Sequence, residues 1–279
     1  MATAMKPPRL DYVRAATLAE AHAVLAAEGA DARIIAGGQT LVPMLSMRLA
    51  RPRVLVDIMR LGELRGTHET ASDICVGAAV RQAELLAWPQ LAARQPMLAA
   101  ALPWVGHAQT RNRGTVCGSI AHADPSAELP LVLVALEGSV TLSTRWRRRT
   151  VAAAQFFQGL MSTARRDDEL IAAVSFPTAR PGHAYAFCEF GRRHGDFAIV
   201  ACAAVVTHSS TRLAVGGVAD RPLGRDWDGL SDDNLDDALN AFAYDLEARG
   251  DMHATARFRR DLVRRLGRET IAEARRCLA

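Results

Sequence analysis

The sequence predicts an α+β protein in which a two-lobed N-terminal domain, with sub-lobes of about 1–57 and 58–177, is followed by a smaller α+β C-terminal domain over 178–279. Three observations carry that expectation. Short β-branched runs alternate with amphipathic stretches at the start, the texture then changes to meandering strands with helical inserts, and the last hundred residues end in two charged amphipathic segments. At 279 residues the chain also exceeds the usual size of one hydrophobic core, so more than one compact unit is expected.

Leu10–Val13 reads as a short strand, followed by a helix from about Leu18 to Ala27 whose Thr17 and Glu20 match a capping box. Arg33–Ala36 is short and β-branched, so it reads as a strand that delivers the glycines after it to a sheet edge; Leu41–Leu49 continues as a helix and Val54–Ile58 is the next strand. In the second sub-lobe Ile74–Val80 reads as a buried strand, Gln82–Ala87 and Gln90–Leu102 as helices, Trp104–Gly114 as a polar loop and Glu128–Glu137 as a buried or amphipathic helix. Val140–Thr144 alternates like a strand, and the domain ends near Pro177, after the apolar strand Leu170–Phe176. Beyond it Ala184–Phe190, Ala198–Thr207 and Leu213–Val218 read as strands, and the segments from Asp232 and from Ala254 as charged amphipathic helices.

Composition excludes several classes of function. The formal charge of +4 includes Arg145, Arg147, Arg148 and Arg149 around Trp146, a patch that a nucleic-acid binder would also show. Its place after an alternating strand points instead to a hairpin edge guarded by charge, and no nucleic-acid partner is expected. The chain lacks any uncharged apolar run of about eighteen residues, and Met1–Pro8 lacks an apolar signal core, so a cytoplasmic protein without a membrane span is expected. Cys75, Cys117, Cys188, Cys202 and Cys277 form no Cys-x-x-Cys pair and are odd in number, which suits neither a metal or iron–sulfur site nor a disulfide framework. No Ser/His/Asp or Cys/His arrangement suggests a nucleophile, so no catalytic side chain is expected.

Two glycine-centred segments carry most of the functional information: Ala36-Gly37-Gly38-Gln39-Thr40 and the stretch from Gly114 to Pro125. Without Cβ a residue can take positive φ and lets a ligand approach the main chain, so such turns can aim several N–H donors at one anion. Thr40, Thr115 and Ser119 add hydroxyl donors beside those amides. Neither segment is Gly-x-x-x-x-Gly-Lys-Ser/Thr, and no Gly-x-Gly-x-x-Gly follows a strand and opens a helix. The ordinary nucleotide folds are therefore poor candidates.

Taken with Leu10-Asp11-Tyr12-Val13, the stretch Ala123–Pro130 and the segment Arg192–Val200, these loops resemble, in order and spacing, a p-cresol methylhydroxylase-type FAD-binding domain. The version that they resemble is the flavoprotein (medium) subunit of molybdenum hydroxylases, a family with carbon monoxide dehydrogenase and xanthine dehydrogenase among its members. The resemblance covers nearly the whole chain. It implies a two-lobed FAD-binding domain over 1–177 followed by a C-terminal flavoprotein domain, and it implies that Ile35, Ala36, Gly37, Gly38, Gln39, Thr40, Leu41 and Val42 wrap the FAD diphosphate. Thr115, Gly118 and Ser119 would contact the same group, and Glu128, by its place in the motif, the ribityl chain. Asp124 is the other carboxylate there, either a cofactor contact or an Asx-turn acceptor before Pro125. Val105, Ile171 and Arg193 complete the implied contacts, Arg193 either as a positive charge near the flavin or, with Arg192, as an exposed basic pair. Asp196 would orient that segment, while His107 and His122 lack the context of a covalent flavin linkage.

Two positions depart from the family pattern. Cys117 stands where relatives usually have a second glycine, which requires a Cβ to be tolerated there, and Cys188 lies near a position where some relatives have a cofactor-contacting lysine. The resemblance further implies that FAD carries the chemistry. A large subunit would bring the molybdenum cofactor and a small subunit two iron–sulfur clusters, and electrons would leave FAD for an external acceptor. A dimer of such heterotrimers is implied. The alternatives are a self-contained FAD-dependent oxidase or dehydrogenase and a non-catalytic nucleotide-binding or scaffold protein, the last distinguished by the lack of bound flavin.

Overall fold

The computed structural model describes residues 6–278. The expectation about an N-terminal signal core rests on Met1–Pro8, of which Met1–Met5 lie outside the described residues.

The first sub-lobe is a parallel three-stranded sheet made of β1 (Asp11–Arg14), β2 (Ala32–Ile35) and β3 (Val54–Asp57), in the order β1-β3-β2. Helix α1 (Leu18–Glu28) crosses between β1 and β2. Thr17 Oγ1 accepts the Glu20 amide at 3.1 Å, while the Glu20 carboxylate reaches back to the amide of Ala16 at 2.7 Å. The cap forms as expected, with its return bond one residue earlier than in the usual box. Helix α2 (Leu41–Ser46) is shorter than the expected Leu41–Leu49: the amides of Leu49 and Ala50 both turn back to the Met44 carbonyl, and Arg48 takes a φ of 58°.

The second sub-lobe holds β4 (Thr67–Glu69), β5 (Asp73–Gly77), β6 (Ser139–Ser143), β7 (Arg148–Ala152) and β10 (Leu170–Pro177), in the antiparallel order β4-β5-β10-β6-β7. Its helical inserts are α3 (Gln82–Leu86), α4 (Leu91–Arg94), α5 (Pro96–Ala101), α6 (Ala108–Arg111), α7 (Val116–His122), α8 (Glu128–Ala135) and α9 (Ala153–Phe156), with the small ribbon β8 (Phe157–Gly159) and β9 (Ser162–Thr163). Four expectations are corrected here. Strand β5 stops at Gly77: the Ala78 amide still donates to the Ala172 carbonyl of β10, but the Ala79 amide turns away to the Leu64 carbonyl. The single helix expected over Gln90–Leu102 is two, broken before Pro96, where Gln95 Oε1 caps the Met97 amide at 3.3 Å. The polar loop before Gly114 contains α6, and the second glycine segment is itself mostly the helix α7. The arginine patch does lie at a hairpin edge: β7 pairs with β6 alone, and Trp146 at the tip is 81% exposed.

The C-terminal part is an antiparallel meander of β11 (Ala184–Phe190), β12 (Val200–Val206), β13 (Ser210–Gly216) and β14 (Leu223–Asp228), covered by α10 (Asp232–Asp245) and α11 (Ala256–Leu278). Strand β14, an edge strand of half-exposed alternating residues, gave no apolar signal in the sequence. Successive residues of β12 face opposite ways: Val200, Cys202 and Ala204 pack under α10 and α11, whereas Ala201 and Ala203 join the core of the preceding domain. Every residue of α8 is buried, and the helix packs against β12 and β13 as well as α5 and α7. Among the described residues no helix is long and apolar enough to cross a membrane.

Candidate cofactor site

The two glycine segments, distant in sequence, touch through their main chains. A methyl group on Gly37 would lie 2.2 Å from the Arg113 carbonyl oxygen and 2.7 Å from Gly114 Cα, closer than any real Cβ contact, so only glycine lets the loops meet. Gly38 takes a φ of 71°, in the left-handed region that favours glycine. This conformation brings the Gly38 carbonyl under the Val42 amide at 3.0 Å and starts α2. Among the described residues the amides from Gly37 to Leu41 donate to no protein group, and Gln39 and Thr40 are exposed. A run of unpaired amides at the end of a parallel strand is what an anionic ligand requires.

The second segment is more constrained than its sequence suggests. The Val116 amide donates to the Val80 carbonyl at 3.1 Å, and Thr115, 2% exposed, is the N-cap of α7, accepting the Gly118 amide at 3.0 Å. The Thr115 oxygen and the Gly118 amide are thus turned to each other, and it is half-buried Ser119 and exposed Gly118 that line the surface. Cys117 lies inside α7 with its thiol packed in the core, where burial pushes its pKa up to about 12. A Cβ is tolerated there because a helical residue needs no positive φ.

Beyond this segment Glu128 opens α8 with only 3% exposure. Burial is the main reason its pKa rises to about 7, with the charge of Asp124 adding to the effect and Arg111 opposing it. Asp124 Oδ1 accepts the Ser126 amide at 2.8 Å, so the Asx turn is present, and Oδ2 lies 4.0 Å from His122 Nε2. Arg111 Nη1 donates to the carbonyls of Pro103, Val105 and Gly106, pinning the turn that holds buried Val105. Against that turn rests the Arg193 loop: the His194 ring stacks on Trp104 with centroids 4.8 Å apart, while Arg193 and Asp196 are exposed. Ile171, 5% exposed, is buried in the sheet on β10 opposite Leu142.

Cys188, which Glu189 follows, pairs across the strands with Cys202, on the face under α10 and α11. The next residue faces the other way, toward the glycine loops' domain. Burial first, and the charge of Glu128 second, push Glu189 up to about 8. Both carboxyls hold a proton more tightly folded than unfolded, where the ordinary value is 4.5. Their stabilising effect is complete below that value and is lost as pH rises through about 7 and then about 8. The thermal midpoint of the flavin-free chain is therefore expected to fall by several degrees between pH 6 and pH 9, and Glu189→Gln to flatten that fall; parallel curves for the two proteins would refute the assignment.

The paired glycine loops, where the parallel-strand lobe meets the antiparallel lobe, form a site suited to an anionic nucleotide. Residues 7–179 match the family model described as the FAD binding domain in molybdopterin dehydrogenase, and residues 185–274 match the CO dehydrogenase flavoprotein C-terminal domain. The chain is 37% identical to the 6-hydroxypseudooxynicotine dehydrogenase complex subunit alpha of Paenarthrobacter nicotinovorans, over 97% of this chain and 96% of that one. It is also 37% identical to the nicotine 6-hydroxylase medium subunit of the same organism, over 97% and 99% of the two chains. A solved structure of carbon monoxide dehydrogenase from Hydrogenophaga pseudoflava superposes with a TM-score of 0.91 at 31% identity, covering 96% of this chain and 98% of that one. The protein belongs to the FAD-binding, medium-subunit family of molybdenum hydroxylases, and is an oxidoreductase subunit.

Proposed function

We propose that this chain is the electron-transfer flavoprotein of a three-chain molybdenum hydroxylase, holding FAD in the cleft between its paired glycine loops. The observation that carries the reading is the main-chain contact of Gly37 with Arg113 and Gly114, which makes one cradle of two segments. The unpaired amides from Gly37 to Leu41, with the hydroxyls of Thr40 and Ser119, would hold the diphosphate, flanked by Ile35, Ala36 and Val42. Thr115 and Gly118 fix the turn beside it. Glu128 would bond the ribityl hydroxyls, Asp124 shapes the approach to Glu128, and Val105 and Ile171 form apolar surroundings. Arg193 places a positive charge on the docked loop. When bound, FAD supplies the capacity to accept electrons singly or in pairs.

Among the described residues no three His, Cys, Asp or Glu side chains converge as a metal site. We assign the molybdenum cofactor to a large partner subunit and two iron–sulfur clusters to a small one, with an external electron acceptor, two such trimers pairing in the cytoplasm. Within the chain, the FAD-binding domain is 1–177 and the C-terminal flavoprotein domain 178–279. Co-expression with neighbouring genes, followed by purification through this chain, is expected to yield flavin bands, iron–sulfur absorbance and two further polypeptides. Flavin with no companion chain would overturn the multi-subunit reading, and no flavin would overturn the whole of it.

A further inference from the structure

Two of the five cysteines, linked by no motif in the sequence, face each other in the fold. Cys188 of β11 lies directly opposite Cys202 of β12, in a ladder whose register is continuous from the pair Ala184 and Val206 to the pair Phe190 and Val200. Opposed residues of an antiparallel ladder carry their side chains on the same face, with Cα atoms about 4.5–5.5 Å apart. A disulfide needs about 4.4–6.8 Å between Cα atoms, which this position meets. Opposed Cβ atoms stand about 4.5–5.5 Å apart against about 3.5–4.5 Å in a disulfide, so a bridge draws the two strands together by roughly 1 Å. The other cysteines are placed differently. Cys75 shares a hydrogen bond with Ser175 Oγ at 3.2 Å, Cys117 turns its thiol to the Val76 carbonyl inside the first domain, and Cys277 is exposed near the end of α11.

The two facing thiols are not equivalent. Cys202 is fully buried, in the core beneath α10 and α11. Cys188 is half-buried, and the next residue of its row, Phe190, is 39% exposed and meets Phe258 of α11 edge-on with ring centroids 6.0 Å apart. Burial first, and the charge of Cys188 second, push the Cys202 thiol up. An oxidant arriving from solvent therefore meets Cys188 first, while Cys202 waits beside it as a protonated thiol.

We propose that Cys188 and Cys202 form a reversible redox-modification site, which a hydroperoxide converts to a cross-strand disulfide in the folded protein. In the first step the Cys188 thiolate attacks one peroxide oxygen: an S–O bond forms, the O–O bond breaks, and the leaving hydroxide takes up a proton as water. Cys188 is then a sulfenic acid. In the second, the Cys202 sulfur attacks the Cys188 sulfur: the S–S bond forms, the S–O bond breaks, and the oxygen leaves as water with the Cys202 proton. Two thiols have lost two hydrogens and two electrons, and one hydrogen peroxide has become two waters. The bridge ties the base of the segment 191–199, whose His194 stacks on Trp104 of the first domain. Drawing the strands together leaves strain in it, which makes it easier to reduce than an unstrained structural disulfide.

The test treats the full chain, carrying Cys277→Ser so that the exposed thiol does not compete, with one equivalent of hydrogen peroxide in native buffer. The protein is then unfolded, its remaining thiols are blocked with iodoacetamide, and the unreduced digest is mapped by mass spectrometry. The peptides of Cys188 and Cys202 are expected to be joined and two hydrogens lighter than their sum, with a loss of two free thiols per chain, and glutathione added before unfolding is expected to restore both. Cys202→Ala is expected to hold Cys188 as a sulfenic acid that dimedone traps, and Cys188→Ala to leave Cys202 unmodified. Cys188 carried on to sulfinic acid with Cys202 still reduced, Cys188 joined to another cysteine, or no change in either thiol would overturn the proposal. So would a bridge that glutathione leaves intact. These readings come from a protein that keeps both cysteines, so they decide the matter even where an alanine variant does not fold.

Discussion

Gly37→Ala is expected to strip the protein of flavin. The new methyl group would meet a carbonyl oxygen at 2.2 Å and the Gly114 Cα at 2.7 Å, and both are main-chain atoms that cannot swing aside as the end of a side chain would. Relief requires the loops to part, which separates the amides of the first from the surface of the second. Overpacking of this kind costs about 1–3 kcal/mol of stability. The larger loss is in affinity: a Kd at least about 100-fold weaker, roughly 2.7 kcal/mol, because binding requires both loops at once. The ratio of flavin to protein absorbance after desalting measures it. Gly62→Ala is the control, since a methyl group there meets nothing within 4 Å. Full flavin content in Gly37→Ala would mean that the cradle lies elsewhere.

Arg259→Met is expected to give the largest fall in stability. This arginine, 5% exposed, donates through Nη1 to the carbonyls of Ile199, at 2.6 Å, and Gly217, and through Nη2 to Asp251 at 2.6 Å. Gly217 in turn donates its amide to the Pro125 carbonyl at 2.7 Å, in the segment between α7 and α8. Methionine fills much of the volume but leaves two buried carbonyls without a donor, at a cost of about 3–5 kcal/mol. For a chain of this size that corresponds to a fall in Tm of roughly 10 °C. Arg259→Lys should recover only part of it, because an ammonium cannot span the three acceptors as a planar fork does. Asp251→Asn should cost less than either, its side chain being 48% exposed. A shift of under about 2 °C for Arg259→Met would show that the clamp is dispensable.

The parts of this fold that sequence exposes are those whose chemistry is local. Gly37 and Gly38 announce a turn with bare amides, and Thr17 with Glu20 announces a helix start, because each needs only neighbours within a few positions. The charged run after β6 is legible for the same reason: an unpaired edge is defended by residues in the edge itself. What stayed hidden depends on contacts between distant segments. The Thr115 hydroxyl faces inward because Val80 holds the Val116 amide, and no pattern around Thr115 reports that. The side that Glu189 takes is legible by contrast. The alternation of Tyr185, Phe187 and Glu189 on β11 sets it on the domain-facing side, one residue and one sheet face away from Cys188. Pro96 likewise marked its helix break openly.

Helix α8 gives the molecule a property that neither domain has alone. Its sequence, Glu-Leu-Pro-Leu-Val-Leu-Val-Ala, has no polar side to turn to water, and it lies with the first domain's core around it and the C-terminal strands β12 and β13 against it. Residues 7–179 and 185–274 match separate family models. They are not separable as surfaces. A first half made without the second would carry a greasy scar where the sheet had lain, and would be prey to aggregation and proteases before any cofactor reached it. Inheritance of this subunit is therefore expected to be all or nothing: both halves travel together, shaped to each other along one helix.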